Sequence, residues 1–274
     1  MKKLNDLEEK AAWIRRIVLE AIASSGKGHI GGTYSCVELL VALYYGRILR
    51  VDSKNPQGSE RDRFLIGKGH ACLALYAIFV DLGFISKEKF SEYGKDGSHL
   101  GGQLDKSIPG VEYNTGSLGH VLGIGAGMAL AAKLDLKKFR TYVLMGDAEC
   151  YEGSVWEAVI FAAEKKVQGL TAIIDRNRLS VTEALPDDGL FKDFKKKITS
   201  FGWDYHEING HAFGEILKVL ASPKKSRKPV MIVANTLKGK GISFMENGIK
   251  WHHGVPNRTE LELARKELGF ENER

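Results

Sequence analysis

Cysteine is scarce in this sequence, which contains three among its 274 residues. Cys36, Cys72 and Cys150 are too far apart for a C-x-x-C metal or redox motif. An odd and sparse count of this kind fits a reducing compartment. We therefore expect a cytoplasmic protein.

Long apolar runs are also lacking. No stretch approaches the roughly 20 apolar residues that a bilayer-spanning helix needs, and the opening MKKLNDLEEK has no apolar segment typical of a secretion signal. Hydrophobic residues make up 43% and charged residues 27%, as in ordinary globular proteins. The sequence predicts no membrane partner, and its length suits one large domain over residues 1–274.

Positive charge is in excess, with a formal net charge of +6. Much of it lies in Lys195–Lys197 and in residues 224–228, KKSRK. Neither run is interleaved with aromatic residues that could stack on bases, so we predict no nucleic-acid partner. We interpret the runs as a solvated helix face and a loop, and the overall charge would also suit anionic ligands.

Short segments rich in β-branched or aromatic residues alternate with helical patterns, which predicts an α/β fold: a doubly wound, mainly parallel sheet flanked by helices. Two long glycine-rich loops, 93–119 and 238–256, would lie at the ligand-binding edge of this sheet. The predicted strands are Phe64–Ile66, Tyr142–Met145, Leu170–Ile174, Tyr205–Ile208 and Val230–Ala234. The predicted helices are Leu7–Ala23, Cys36–Ile48, Ala71–Leu82, Leu118–Leu134, Val155–Lys166 and Phe213–Leu220.

Polar residues follow two of the predicted strands. Gly146 and Asp147 come directly after one strand, and Asn177 comes shortly after the next. Carboxyl ends of parallel strands share one edge, where ligands bind. Carboxylate and amide oxygens suit a hard divalent cation, which would offset the repulsion between Asp147 and an anionic ligand. The alternative is structural, since Gly-Asp is a common turn and Asn a common cap.

Histidines are the second indication of a functional site. The sequence contains eight, and four lie in loops rich in glycine or serine: His29, His70, His99 and His253. A lone histidine is often structural, but four in loops are more typical of a site. His252 and His253 are adjacent and poorly placed to chelate one metal, so we predict no zinc site.

Two further segments point to an anion or to close packing. The helix predicted to begin near Gly153 would direct its free N–H groups to the same edge, which favours phosphate. Glu152 precedes it and would at least interact favourably with the helix dipole. A glycine-rich stretch, NTGSLGHVLGIGAGMAL, begins at Asn114, and it indicates either a phosphate contact or tight helix packing.

The stretch from Gly146 to Asn177 resembles the metal–diphosphate motif of thiamine diphosphate enzymes. From about Ala11 to Pro256, the chain resembles the N-terminal, diphosphate-binding half of transketolase. The resemblance implies the thiamine diphosphate-binding α/β fold, with thiamine diphosphate and Mg²⁺ (or Ca²⁺ or Mn²⁺) as cofactors. It implies three metal ligands: the side chains of Asp147 and Asn177, and the backbone carbonyl of Leu179.

The resemblance also implies roles for neighbouring residues. Those expected around the cofactor are Gly116, Ser117 and Leu118 at the aminopyrimidine, and Gly146, Ala148 and Glu149 beside the diphosphate. The sequence departs from the family pattern at Ala148 (usually Gly), Ser117 (usually Pro), His120 (usually Gln) and Arg176 (often Asn or Asp).

Catalytic roles follow from the same likeness. His70 and His253 resemble residues that contact the diphosphate and the substrate side of the cofactor, and His29 and His99 resemble residues that hydrogen-bond the donor sugar. Glu152 matches a glutamate that links two active sites across a dimer interface. For Lys238 and Lys240, phosphate neutralisation and a solvated glycine-rich loop remain alternatives.

In transketolases, the acid that activates the pyrimidine ring and the sugar-phosphate clamps lie in a second domain, and this sequence contains no second set of βαβ units. We therefore predict one subunit of a split transketolase, assembled with a pyrimidine-domain partner as two of each. Together they would transfer a two-carbon ketol unit from a ketose phosphate to an aldose phosphate. The alternatives are a subunit of a 2-oxo acid dehydrogenase-type enzyme and a non-catalytic, cofactor-binding regulatory chain.

Overall fold

A five-stranded parallel sheet organises the protein. The computed structural model describes residues 2–222 and 226–270. The sheet has the order β1-β2-β3-β5-β4, and every neighbouring pair is parallel. The strands are β1 (Arg63–Ile66), β2 (Thr141–Gly146), β3 (Leu170–Arg176), β4 (Asp204–Asn209) and β5 (Val230–Asn235). All five predicted strands, and the α/β fold class, are confirmed.

Ten α-helices surround the sheet within residues 2–222 and 226–270. The six predicted helices correspond to α1 (Lys2–Ser25), α3 (Val37–Tyr45), α4 (Cys72–Asp81), α6 (Val121–Leu134), α7 (Gly153–Glu164) and α9 (Phe213–Ala221). Four helices were not predicted: α2 (Ile30–Ser35), α5 (Lys87–Phe90), α8 (Phe194–Ser200) and α10 (Arg258–Glu267).

The first basic run lies on α8, where Lys195 and Lys196 are exposed. This confirms the interpretation of a solvated helix face. Of the second run, Lys224 and Lys225 lie outside the described residues. None of the helices in the described part of the chain is long and apolar enough to cross a membrane.

Two hydrophobic clusters cover the two faces of the sheet. Along β2, Tyr142 and Leu144 belong to one cluster, while Val143 and Met145 belong to the other. Side chains of a strand point alternately to opposite faces. Because both faces are buried, the strand reads as a continuous apolar run, as expected for a parallel sheet covered by helices.

The carboxyl ends of β2 and β3 meet at one edge, where Gly146 pairs with Asp175. The chain leaves β2 at Asp147 and leaves β3 at Asn177. Both long glycine-rich loops reach this edge as expected, since Leu118 from the first and Lys238 from the second line the same cavity.

Candidate functional site

A cavity of about 110 Å³ lies at the carboxyl edge of the sheet, beside the ends of β2 and β3. Its wall is formed by residues from seven separate stretches of the sequence. The lining residues are Gly32, Lys68, His70, Leu118, Gly146, Asp147, Ala148, Glu149, Asn177, Leu179, Ser180, Val181, Lys238 and His252. The three predicted metal ligands are thus brought to one place.

Asp147 is buried at the end of β2 and faces this cavity. Its Oδ1 accepts a hydrogen bond from the backbone N–H of Ala148 at 2.8 Å, and its Oδ2 accepts one from the backbone N–H of Arg178 at 2.5 Å. Burial, and then the charge of Asp175, raise the pKa of Asp147 to about 6. A buried carboxylate of this kind would be stabilised by a bound cation.

Asn177 and Leu179 lie just after β3 and line the same cavity. Asn177 Oδ1 accepts from the backbone N–H of Leu179 at 3.2 Å. Between them, Arg178 has a φ of 64°, which is unusual for a residue with a side chain. The left-handed turn sends the Arg178 N–H to Asp147, so the β3 loop is held against the end of β2.

A buried ion pair at the cavity, between the lining residue Lys68 and Asp175, was missed by sequence reasoning. Lys68 Nζ forms an ion pair with Asp175 Oδ2, and both side chains are almost completely buried. Ser35 Oγ donates to the same Oδ2 at 2.6 Å, and Thr236 donates to Oδ1. Although burial opposes charge, Asp175 raises the pKa of Lys68, so Lys68 remains a cation. The sequence does contain a sign of this pair, because Asp175 is an acidic residue within the apolar run of β3.

Lys238 supplies a second cation to the wall and is only 1% exposed. Its Nζ donates to the carbonyls of Ser180 at 2.8 Å and Leu179 at 3.3 Å, and lies 3.1 Å from His252 Nδ1. Burial, and then the charge of Lys68, lower the pKa of Lys238 to about 8. Lys240 instead lies 3.5 Å from Glu246 Oε1. Of the two predicted lysines, only Lys238 lines the cavity.

Four imidazole rings gather at one side of the cavity. Ring centroids of His29 lie 5.2 Å from His70, 5.4 Å from His252 and 4.4 Å from His253. Burial, followed by neighbouring positive charge, lowers the pKa of His29 to about 4, of His70 to about 2 and of His252 to about 3. These three rings are therefore neutral near pH 7. Nδ1 of His29 is buried without a hydrogen-bond partner among the described residues, so it is free for a ligand.

The predicted residues His253 and His99 do not line the cavity. His253 is exposed beside His29, while its neighbour His252 lines the cavity. Adjacent residues point in different directions, and the sequence could not show which ring faces inward. His99 is exposed and does not line the cavity. Its glycine-rich surroundings are those of a surface turn.

Glu149 lines the cavity, and both of its carboxylate oxygens accept backbone hydrogen bonds. Its Oε1 accepts from the backbone N–H of Gly119 at 3.1 Å, and its Oε2 accepts from that of Gly146 at 3.2 Å. At Gly67, a Cβ atom would lie 1.9 Å from Glu149 Oε1, so this approach requires glycine. Burial raises the pKa of Glu149 to about 7. The carboxyl group ties the loop that carries Leu118 to the end of β2.

The segment after β2 differs from the expectation in one respect. A 3-10 turn, Ala148–Tyr151, precedes α7, and its first two residues line the cavity. Gly153, where α7 begins, does not. Ala148 has no positive φ, so its methyl group causes no backbone strain. Glu152 is exposed, and its side chain makes no capping hydrogen bond within the described part of the chain.

The aminopyrimidine prediction falls on a loop at the cavity mouth. Leu118 lines the cavity and is 37% exposed, and Gly116 and Ser117 are exposed next to it. Gly116 has a φ of 129°, which glycine adopts readily. This edge would be available to a flat ring.

The donor atoms fit an oxygen-preferring cation and an anionic group. Asp147, Asn177 and the Leu179 carbonyl offer oxygens of the type that Mg²⁺ binds. Ring nitrogens of His29, His252 and His253 lie within 4.8 Å of one another and are the alternative metal ligands. The ammonium of Lys238 lies close to both sets, 3.1 Å from His252 Nδ1 and 3.3 Å from the Leu179 carbonyl oxygen, so its charge does not distinguish them. Only the set with Asp147 contains a carboxylate to offset the charge of a dication. The carboxylate side of the cavity is the better cation site.

Known proteins share both the sequence and this architecture. A family model described as transketolase, thiamine diphosphate binding domain, matches residues 7–274. One subunit of the apulose-4-phosphate transketolase of Phocaeicola vulgatus is 41% identical over 97% of this chain and 95% of its own length. A 6-deoxy-6-sulfo-D-fructose transketolase subunit from a Clostridium species is 36% identical over 90% of each chain.

A solved transketolase from Campylobacter jejuni superposes with a TM-score of 0.89 at 30% identity, covering 98% of this chain and 43% of that one. The chain thus spans less than half of that protein, whereas it matches the apulose-4-phosphate transketolase subunits over nearly their whole length. Matched over residues 7–274, this chain belongs to the family of transketolase thiamine diphosphate-binding domains.

Proposed function

We propose that this chain is the diphosphate-binding subunit of a two-subunit transketolase, and that residues 1–274 form one domain. The observation that carries the proposal is the convergence of two lysines and three oxygen donors on one cavity. Lys68 and Lys238 supply positive charge, while Asp147, Asn177 and Leu179 supply oxygens. A diphosphate group bridged by Mg²⁺ would satisfy both sets, because the cation and the lysines offset its negative charge.

Thiamine diphosphate, once bound, would supply the nucleophilic carbon and the electron sink that ketol transfer requires. The protein's own part is to hold and orient it. Asp147, Asn177 and the Leu179 carbonyl would hold Mg²⁺, and Lys68 and Lys238 would offset the charge of the diphosphate. Gly116, Ser117 and Leu118 would lie against the aminopyrimidine at the mouth.

The imidazoles face the substrate side. His29, His70 and His252 are neutral near pH 7, so each offers one N–H donor and one nitrogen acceptor. They would hydrogen-bond the hydroxyls and carbonyl of a ketose without adding charge. His253 lies at the exposed rim of this group, where it would contact the same substrate.

A second subunit completes the active site in this proposal. The relatives that are named as transketolase subunits support a partner chain, which we propose to be the pyrimidine domain, in an assembly of two of each. Exposed Glu152 would form its predicted link at that interface. The relatives' named substrates are anionic ketoses, which supports a ketose phosphate as donor and an aldose phosphate as acceptor. We place the complex in the cytoplasm, since the three cysteines are free and buried.

Reconstitution tests the proposal. The chain is mixed with a pyrimidine-domain partner, Mg²⁺ and thiamine diphosphate, and ketol transfer between sugar phosphates is followed. We expect turnover by the mixture, and little or none by either chain alone. Full activity of this chain alone, or activity on 2-oxo acids but not on ketose phosphates, would contradict it.

A further inference from the structure

A buried chain of polar contacts connects α1 to the backbone that carries Lys238. Arg15, on α1, forms an ion pair with Glu38, on α3, at 2.8 Å, and both side chains are buried. Glu38 Oε2 also lies 3.0 Å from Nδ1 of His211. The other ring nitrogen of His211, Nε2, accepts the backbone N–H of Leu237 at 2.8 Å.

These contacts determine which nitrogen of His211 carries the proton. Because Nε2 accepts from Leu237, its lone pair must be free, and the proton of a neutral ring lies on Nδ1. Nδ1–H then donates to Glu38, a carboxylate that burial alone would disfavour. The His211 hydrogen bond and the Arg15 charge outweigh that burial and lower the pKa of Glu38. Glu38 thus fixes both the tautomer and the orientation of His211.

The residue after Leu237 is Lys238, so this hydrogen bond anchors the lysine's own backbone. Two further bonds complete the anchor: Gly239 N–H donates to the Gly31 carbonyl at 3.0 Å, and Asn247 N–H donates to the Lys238 carbonyl at 2.9 Å. Of the three anchors, only the one at Leu237 depends on a side chain. The imidazole of His211 is mostly buried, with 16% of its side chain exposed.

We propose that His211, oriented by Glu38 and Arg15, is a positioning residue that holds the Lys238 ammonium in place for the cofactor diphosphate. The inference rests on the proposed function, because it takes the diphosphate as the group that Lys238 meets. His211 does not line the cavity, so its effect on binding must pass through Leu237 and Lys238. Losing one hydrogen bond of this kind would weaken thiamine diphosphate binding by about fivefold.

A double-mutant cycle on the reconstituted complex tests this. Thiamine diphosphate affinity, at saturating Mg²⁺, is measured for wild type, His211→Leu, Lys238→Met and the double variant. We expect His211→Leu to weaken binding about fivefold in the wild-type background and to have almost no further effect when Lys238 is already Met. Fully additive losses, or an unchanged affinity for His211→Leu, would overturn the inference.

Two more variants separate positioning from folding. His211→Gln keeps an acceptor near the position of Nε2, so it should recover most of the affinity; a loss equal to that of His211→Leu would overturn the inference. His206→Leu makes the same change on β4, away from the cavity, and should leave affinity unchanged. If the wild-type complex itself fails to bind thiamine diphosphate, the proposed function fails. If the wild-type complex binds thiamine diphosphate and His211→Leu binds it equally well, only the positioning role is rejected.

Discussion

The backbone N–H of Arg178 donates to Asp147 Oδ2 at 2.5 Å, which joins the ends of β2 and β3. One carboxylate therefore shapes the turn after β3 and also faces the cavity. Substitution by asparagine separates the two duties in part. An amide keeps one acceptor oxygen, which can serve the Arg178 N–H, but it loses the charge and the acceptor for the Ala148 N–H.

Asp147→Asn should weaken metal-dependent binding of thiamine diphosphate by more than about tenfold, because the site loses its anionic ligand. Calorimetric titration of the reconstituted complex with cofactor, with and without Mg²⁺, measures this. Asp188→Asn removes a nearby exposed carboxylate and is the matched control. Equal affinities for wild type and Asp147→Asn would reject Asp147 as a ligand.

The ion pair of Lys68 with Asp175 predicts strong coupling in stability. Asp175→Asn leaves a buried ammonium without its counter-charge, which should cost about 3–5 kcal/mol in the free energy of unfolding. Adding Lys68→Met removes the stranded charge, so the double variant should be more stable than Asp175→Asn. Urea denaturation of this chain measures both. If the stability loss of the double variant equals the sum of the losses of Asp175→Asn alone and Lys68→Met alone, the two charges do not interact.

Acid should destabilise the protein through its neutral imidazoles. Burial, and then the charge of Lys68, lower the pKa of His70 to about 2, whereas an unfolded histidine has a pKa of about 6.5. The unfolded state thus binds the proton more tightly. The stability contribution is complete above pH 6.5 and declines as the pH falls toward the folded pKa. Between pH 7 and pH 5 this amounts to at most about 2 kcal/mol.

His70→Asn should flatten that pH dependence. The raised pKa values of Asp147 and Glu149 act in the opposite direction, because folded carboxyl groups that hold protons more tightly gain stability as the pH falls. The difference in unfolding free energy between wild type and His70→Asn, taken at each pH, cancels the contributions of these two carboxyl groups. Identical unfolding free-energy differences at pH 7 and pH 5 would show that His70 does not resist protonation.

Two glycines of α6 should respond in opposite ways to alanine. A Cβ at Gly125 would lie 2.5 Å from Val143 Cγ2, while one at Gly127 would meet nothing within 4 Å in the described structure. Gly127→Ala should therefore stabilise the protein by about 0.5–1 kcal/mol, and Gly125→Ala should destabilise it. Thermal unfolding of both variants and of wild type measures these changes in stability. If Gly125→Ala stabilised the protein instead, α6 would have to pack less closely against β2 than the 2.5 Å contact with Val143 implies.

The sequence predicted the parts of the fold that depend on repeated local patterns. Strands β1, β2, β3 and β5 are mostly apolar because they are buried in the sheet, and this pattern is visible without coordinates. The edge strand β4 is mixed in composition and only partly buried. By contrast, α2 has two adjacent glycines, Gly31 and Gly32, that disfavour a helix in isolation. The short helix α10 was missed although Asn257 and Glu260 form a capping box, a signal that the sequence does contain.

The site was predicted only as far as its motifs allowed. Asp147, Asn177 and Leu179 do line one cavity, because their positions follow from strand ends. Lys68 and Asp175 are a buried pair joined across the fold, and their partnership exists only in three dimensions. The choice between His252 and His253 depends on the path of a 3-10 turn, Ile249–His252, that pattern alone does not determine.

The most direct test is a crystal structure of the reconstituted complex with thiamine diphosphate and Mn²⁺, with the metal located by anomalous scattering. We expect a peak bonded to the side-chain oxygens of Asp147 and Asn177 and to the Leu179 carbonyl. A peak at the imidazoles of His29, His252 and His253 would contradict the account. So would a diphosphate bound away from Lys68 and Lys238.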